Sequence, residues 1–247
     1  MMRRVRINRV LALLGACLGA SSAGTAAAQP KLIYSALDEY RPTPVPAANQ
    51  DIVRRDVLPV ARRLWGRVEG CLEEFRVIDA AYGAFTEAGM SQRAILYRFC
   101  ETGHDFAKGG IAITQAGRVV AHVTIENAEP DGIRRLPDLD RNGVAELLLV
   151  DHAAHSGERS TVVSIVQLEP RGVRPMGLFG VYHDHSGTLS ADRTEVASIL
   201  HAVPGPRPRF ELETYEHPEG SRARWIGLEK LHRVTPSPDR ATYRRVR

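Results

Sequence analysis

The chain has 247 residues, of which 43% are hydrophobic and 25% charged, with a formal net charge of +4. That composition excludes an intrinsically disordered chain and allows one sizeable core. Four arginines and no acid fall within the first nine residues, so the remainder is near neutral and lacks the basic stripe of a nucleic-acid binder.

Residues 1–28 have the order of a secretory leader. Arg3, Arg4, Arg6 and Arg9 precede an apolar run from Val10 to Gly19, and Ala26, Ala27 and Ala28 precede Gln29. Cleavage after Ala28 predicts a periplasmic or secreted protein. The alternative is a lipobox, "LLGAC" at 13–17, which would leave an outer-membrane lipoprotein anchored through Cys17. The apolar run is too short to span a bilayer, and no later segment is longer, so no transmembrane segment is expected.

Residues 29–50, with Pro42, Pro44 and Pro46, read as an extended Pro-rich arm. Over 51–70, Val53, Val57, Ala61, Leu64 and Val68 recur at steps of three and four, the pattern of a short helix with arginines on its other face. Pro59 must start that helix or kink it. Cys71 and Cys100 are the two thiols left after the leader, and in an oxidising compartment they are expected to pair. Two separate buried thiols are the other reading.

Beyond Gly70 the apolar period becomes two. "RAILYRFC" (93–100), "GIAIT" (110–114) and "RVVAHVTI" (118–125) read as strands, the last two as a hairpin with positive φ at Gly117. Further strands are expected at 145–151, 161–168, 176–183, 196–203, 209–216 and 224–231. Short strands separated by Gly, Pro, Asp and Ser predict a mainly β chain: one antiparallel sheet domain over 51–235, propeller-blade-like or a sandwich. A basic flexible tail over 236–247 would follow. "DHAAHSG" and "YHDHSG" each follow an apolar strand, either a duplicated hairpin or convergent turn composition.

The stretch "LPDLDRNGVAELLLV" (136–150) carries the most chemistry. Asp138, Asp140 and Asn142 stand at alternate positions, Gly143 permits a sharp turn, and Glu146 closes the set. Calcium takes six to eight oxygens in a tolerant geometry, and the Val144 carbonyl adds a main-chain oxygen. Leu149 stands where an EF-hand needs a bidentate acid, and a strand follows rather than a helix. The loop resembles the calcium loop of FG-GAP and VCBS-type repeats, in a single copy, with Glu146 replacing the usual aspartate. That resemblance implies calcium at Asp138, Asp140, Asn142, Val144 and Glu146 on a strand-loop-strand unit. The chain is too short for a whole seven-bladed propeller. An Asx-rich turn without metal is the alternative. More loosely, 71–167 resembles uncharacterised exported bacterial proteins, which implies no activity.

His152 and His155 follow one apolar strand, and His183 and His185 end another. If the two hairpins pack together, four imidazoles converge into a zinc or copper site backed by Asp151 and Asp184. The alternative is surface histidines at loop tips. His104 is expected to hydrogen-bond locally, and Tyr82, Phe85, Tyr97 and Phe99 to pack in the core. No nucleophile elbow, P-loop or dinucleotide fingerprint is present. The expected function is therefore a non-enzymatic exported domain with a structural or binding role, its partner an unidentified protein or envelope component. A His-liganded zinc or copper hydrolase is the rival, and a lipoprotein scaffold the third reading.

Overall fold

The computed structural model describes residues 29–101, 107–185, 194–217, 225–239 and 241–246. The leader with its cleavage site, Cys17 and His104 lie outside these residues, as do Ser186 and Gly187 of the second His-Ser-Gly turn. In chain order the elements are β1 (Lys31–Ser35), α1 (Ala47–Trp65), β2 (Arg76–Gly83), β3 (Gln92–Glu101), β4 (Ala107–Gln115), β5 (Arg118–Glu126), β6 (Gly132–Arg135), β7 (Leu147–His155), β8 (Glu158–Glu169), β9 (Gly172–Asp184), β10 (Glu195–Val203), β11 (Arg209–His217), β12 (Ile226–Val234) and β13 (Thr242–Val246).

The chain is mainly β; among the described residues there is one helix, and the strands pair antiparallel in two sheets. One sheet runs β12-β11-β10-β9-β8-β7-β6 with β1 beside β10, and the other runs β13-β5-β4-β3-β2. Side-chain alternation builds three apolar layers. Ala94, Leu96, Ile111, Ile113, Val123 and Ile125 of the smaller sheet meet Leu147, Leu149, Val166 and Leu168 of the larger one. On the larger sheet's other face, Leu148, Val150, Val163, Ile165 and Phe179 are covered by Ile33, Tyr34, Leu200, Ala202 and Phe210 from its own far strands. The sheet therefore curls over itself. Ile95, Tyr97, Phe99 and Ala112 point the opposite way, onto the helix.

Burial on both faces explains why "LLLV" lacks the polar alternation of a half-solvated strand. Side-chain alternation likewise puts Val163 and Ile165 of β8 in one layer and Val166 and Leu168 in the other. The register shift between Ile165 and Val166 falls on β9, where Met176 is the extra residue between Pro175 and Gly177, a bulge that reverses the parity of β9 beyond it.

Several elements depart from the sequence pattern. The helix spans 47–65, and Val53, Val57, Ala61 and Trp65 are its buried stripe. Leu64 is exposed, and Val68 lies past the end, where the chain turns at Gly66. Pro59 sits inside the helix on its exposed side, so it neither starts it nor faces the sheet. The segment 29–50 is more than an extended arm: Lys31–Ser35 pairs with β10, and helix begins at Ala47. The tail is not free either, since β13 pairs along β5 from Thr242↔Glu126 to Val246↔His122. Ser237 also bridges Leu178. In the two strand pairings, backbone groups find partners more than a hundred residues away, which local composition does not register. The Gly117 turn is as expected, with φ +76 closing β4 onto β5.

Cys71 and Cys100 form a disulfide, with Cα atoms 5.4 Å apart and 29 residues of separation. It ties the segment after the helix to β3 and stabilises the fold by about 3–4 kcal/mol in the chain-entropy view. Such a bond is compatible with an extracytoplasmic protein. Among the described residues no helix is long and apolar enough to cross a membrane. Phe85, Tyr97 and Phe99 are core residues as expected, whereas Tyr82 is half exposed beneath the Arg93 guanidinium.

Candidate functional site

The loop between β6 and β7 is held from below by its apolar residues. Leu136 and Leu139 are buried, and Leu136 N–H donates to the Glu146 carbonyl at 2.8 Å. Gly205 N–H donates to the Leu139 carbonyl and Ala145 N–H to the Ala84 carbonyl, so the loop is pinned at both ends to neighbouring turns. Above this base the polar residues fold inward. Asp138 accepts from Asn142 N–H at 3.0 Å and Gly143 N–H at 2.8 Å. Gly143 takes φ +92, a conformation that costs a side-chain-bearing residue free energy.

These bonds bring ligand oxygens of Asp138, Asp140 and Glu146 within 4.8 Å of one another. Two oxygens on opposite sides of a calcium ion stand about 4.6–5.2 Å apart, twice the calcium–oxygen distance, so the three carboxylates fit one such centre. Glu146 is fully buried and accepts Leu139 N–H at 2.8 Å. Burial, with the neighbouring Asp140 and Asp138 charges behind it, pushes its carboxyl up to about 7.

Asn142 is tied into the turn by its own side chain. Its carboxamide oxygen accepts Val144 N–H at 2.9 Å, and its amide donates to Asp140 at 3.1 Å. It shapes the turn and orients Asp140, while the three acids form the cluster. Val144 takes part through that same backbone N–H.

Two residues that the loop motif does not contain complete the site. Arg174, from β9, pairs with Asp140, with the Gln167 carboxamide oxygen and with Glu169. Gln167, from β8 and buried, donates to Glu146 at 3.3 Å and to Asp140 at 3.5 Å. One guanidinium, shared with Glu169, thus faces three carboxylates. The remaining negative charge suits a divalent cation. Neither residue was detectable from local spacing, because Arg174 stands 34 positions beyond Asp140.

The histidines divide between two places. His152 Nδ1 lies 2.8 Å from Asp131 Oδ1, which holds the imidazole above its usual range. Its ring lies beside Tyr40. His155 ends β7 as the cross-strand neighbour of Glu158. His183 and His185 come together with Glu158 in a second cluster that includes neither His152 nor His155. The predicted four-imidazole centre is therefore not assembled. Only the β9 pair converges, because β8 separates β7 from β9. Asp151 accepts Glu129 N–H, and Asp184 is paired with Arg159.

No protein-family description, curated protein or solved structure matches this chain detectably.

Proposed function

We propose that this chain is an exported, non-enzymatic β domain whose corner at 138–146 is braced by calcium, serving a structural or binding role in the cell envelope or outside the cell. One observation carries the reading: three carboxylates from one short loop gather within 4.8 Å, one of them fully buried, beside the Arg174 guanidinium that Glu169 shares. The brace would join β6 to β7 and hold both to the 204–205 turn. The likeness of the loop to FG-GAP and VCBS-type calcium loops supports the same ion. The disulfide suits an oxidising compartment.

Extracellular calcium modules bind at about 10⁻⁴–10⁻³ M. Millimolar calcium should therefore raise stability by about 1 kcal/mol through mass action. Thermal melts in calcium, magnesium and chelator, beside Asp138→Ala and Asp140→Ala, measure it. A calcium-specific rise in Tm that both variants lack is the expected result. Identical melts in calcium and chelator would leave an Asx turn neutralised by Arg174.

A further inference from the structure

We propose a second metal site, for a borderline transition ion such as zinc, formed by Glu158, His183 and His185 where β8 begins and β9 ends. His183 Nε2 lies 3.3 Å from His185 Nδ1, and the same Nδ1 lies 3.3 Å from Glu158 Oε1. All three donor atoms fall within 4.8 Å of one another.

Strand pairing creates this convergence. Ser160 faces His183 and Arg159 faces Asp184 across β8 and β9, so Glu158 continues the ladder toward His185. The i, i+2 spacing of the two histidines puts them on one face. That is also the face of Glu158, since cross-strand partners share a side of the sheet.

The distances suit a small tetrahedral ion. Zinc binds imidazole nitrogen at about 2.0–2.1 Å and carboxylate oxygen at about 2.0–2.2 Å, which separates tetrahedral donors by about 3.3–3.5 Å. Proton placement points the same way. An imidazole nitrogen and a carboxylate oxygen both lie close to His185 Nδ1, and one ring proton serves only one of them. A cation in the centre accepts all three lone pairs at once.

Two imidazoles favour zinc, copper or nickel over calcium, so this site and the Asp loop select different ions. Glu158 is exposed and both histidines are partly so. Among the described residues the cluster has three ligands, and water would complete it, as in a zinc centre with two histidines and one glutamate. A groove of about 410 Å³ runs past it, lined by Ala154, His155, Ser156 and Arg159 among others.

The test is a zinc competition titration of the full chain, purified without an affinity tag and stripped by chelator, against a chromophoric chelator. One zinc per chain is expected. His183→Ala and His185→Ala should each weaken it at least about tenfold, the scale on which even outer partners matter. Glu158→Gln should weaken it as well. His152→Ala and Asp138→Ala should titrate like the parent. Cobalt(II) gives a second readout on the unaltered chain: an intense visible spectrum of a four-coordinate ion, absent in His185→Ala. Failure of the parent to compete for zinc, an unchanged titration in both histidine variants, or a pale six-coordinate cobalt spectrum would each overturn the site.

Discussion

Replacing Asp79 by alanine is expected to cost about 3–5 kcal/mol, the scale of several buried donors left unsatisfied together, read as a lower urea midpoint at an unchanged m-value. Asp79 is fully buried in β2, next to a register shift between Val77 and Asp79. Its carboxylate accepts Thr43 N–H at 2.6 Å, Ala80 N–H at 2.7 Å, Ile133 N–H at 2.8 Å and the Tyr40 hydroxyl. One side chain thus joins the N-terminal segment, the smaller sheet and the edge strand β6 of the larger one. Alanine would leave donors from all three without an acceptor, and an unsatisfied buried donor costs about 1–3 kcal/mol. Asp79→Asn should lose less, since its carboxamide keeps one acceptor oxygen in place of two. Tyr40→Phe, which removes a single donor, should lose about 1 kcal/mol. An Asp79→Ala loss below that of Tyr40→Phe would show that the carboxylate is not a structural node.

The second large effect is a pair of opposing pH dependences. Glu146 is pushed up to about 7 by burial, from an ordinary value of 4.5. Its folded form therefore holds a proton that the unfolded chain has already lost. Stability from this group is greatest below pH 4.5 and falls as pH rises to about 7, by about 3 kcal/mol at 1.36 kcal/mol per unit.

His122 behaves in the opposite sense. It is buried against the Tyr97 hydroxyl, 2.5 Å away, and burial brings it down from 6.5 to about 4. Its contribution is present above pH 6.5 and is lost as pH falls toward 4, again by about 3 kcal/mol. Between pH 4.5 and 6.5 the two slopes cancel in the parent protein. Denaturation midpoints across this range, taken in chelator as differences from the parent, separate them. His122→Gln should gain stability relative to the parent on acidification, and Glu146→Gln should lose it. Parallel profiles for parent and variants would refute both assignments. Calcium adds a cross-check, because an ion on Glu146 competes with its proton. The calcium response of the Tm should grow from pH 5.5 to pH 8 and be missing in Glu146→Gln.

Much of the architecture is legible in local pattern because it is local in cause. Alternating β-branched runs predict strands, Gly117 predicts a hairpin turn, and Asp138 to Glu146 predicts an inward-folded oxygen loop. Each depends on residues within about ten positions, and each is present. The pairing of Cys71 with Cys100 was legible from parity together with the compartment predicted by the leader-like residues 1–28. Helix α1 was legible in type but not in its last turn, where Trp65 packs against Phe99 and Leu64 is left exposed.

What the sequence by itself determined is the class of fold and the chemistry available: an antiparallel β protein with one helix, one cystine and a run of paired oxygens. Tertiary structure alone decided which of those groups meet. It brought Arg174 and Gln167 to the Asp loop and sat Asp79 beneath Tyr40. It also set Glu158 beside His183 and His185 while sending His152 to Asp131. The physical reason is that strand order and register, including bulges such as the one at Met176, set which side chains share a face. That order comes from burial summed over the whole chain, which no short window of sequence contains.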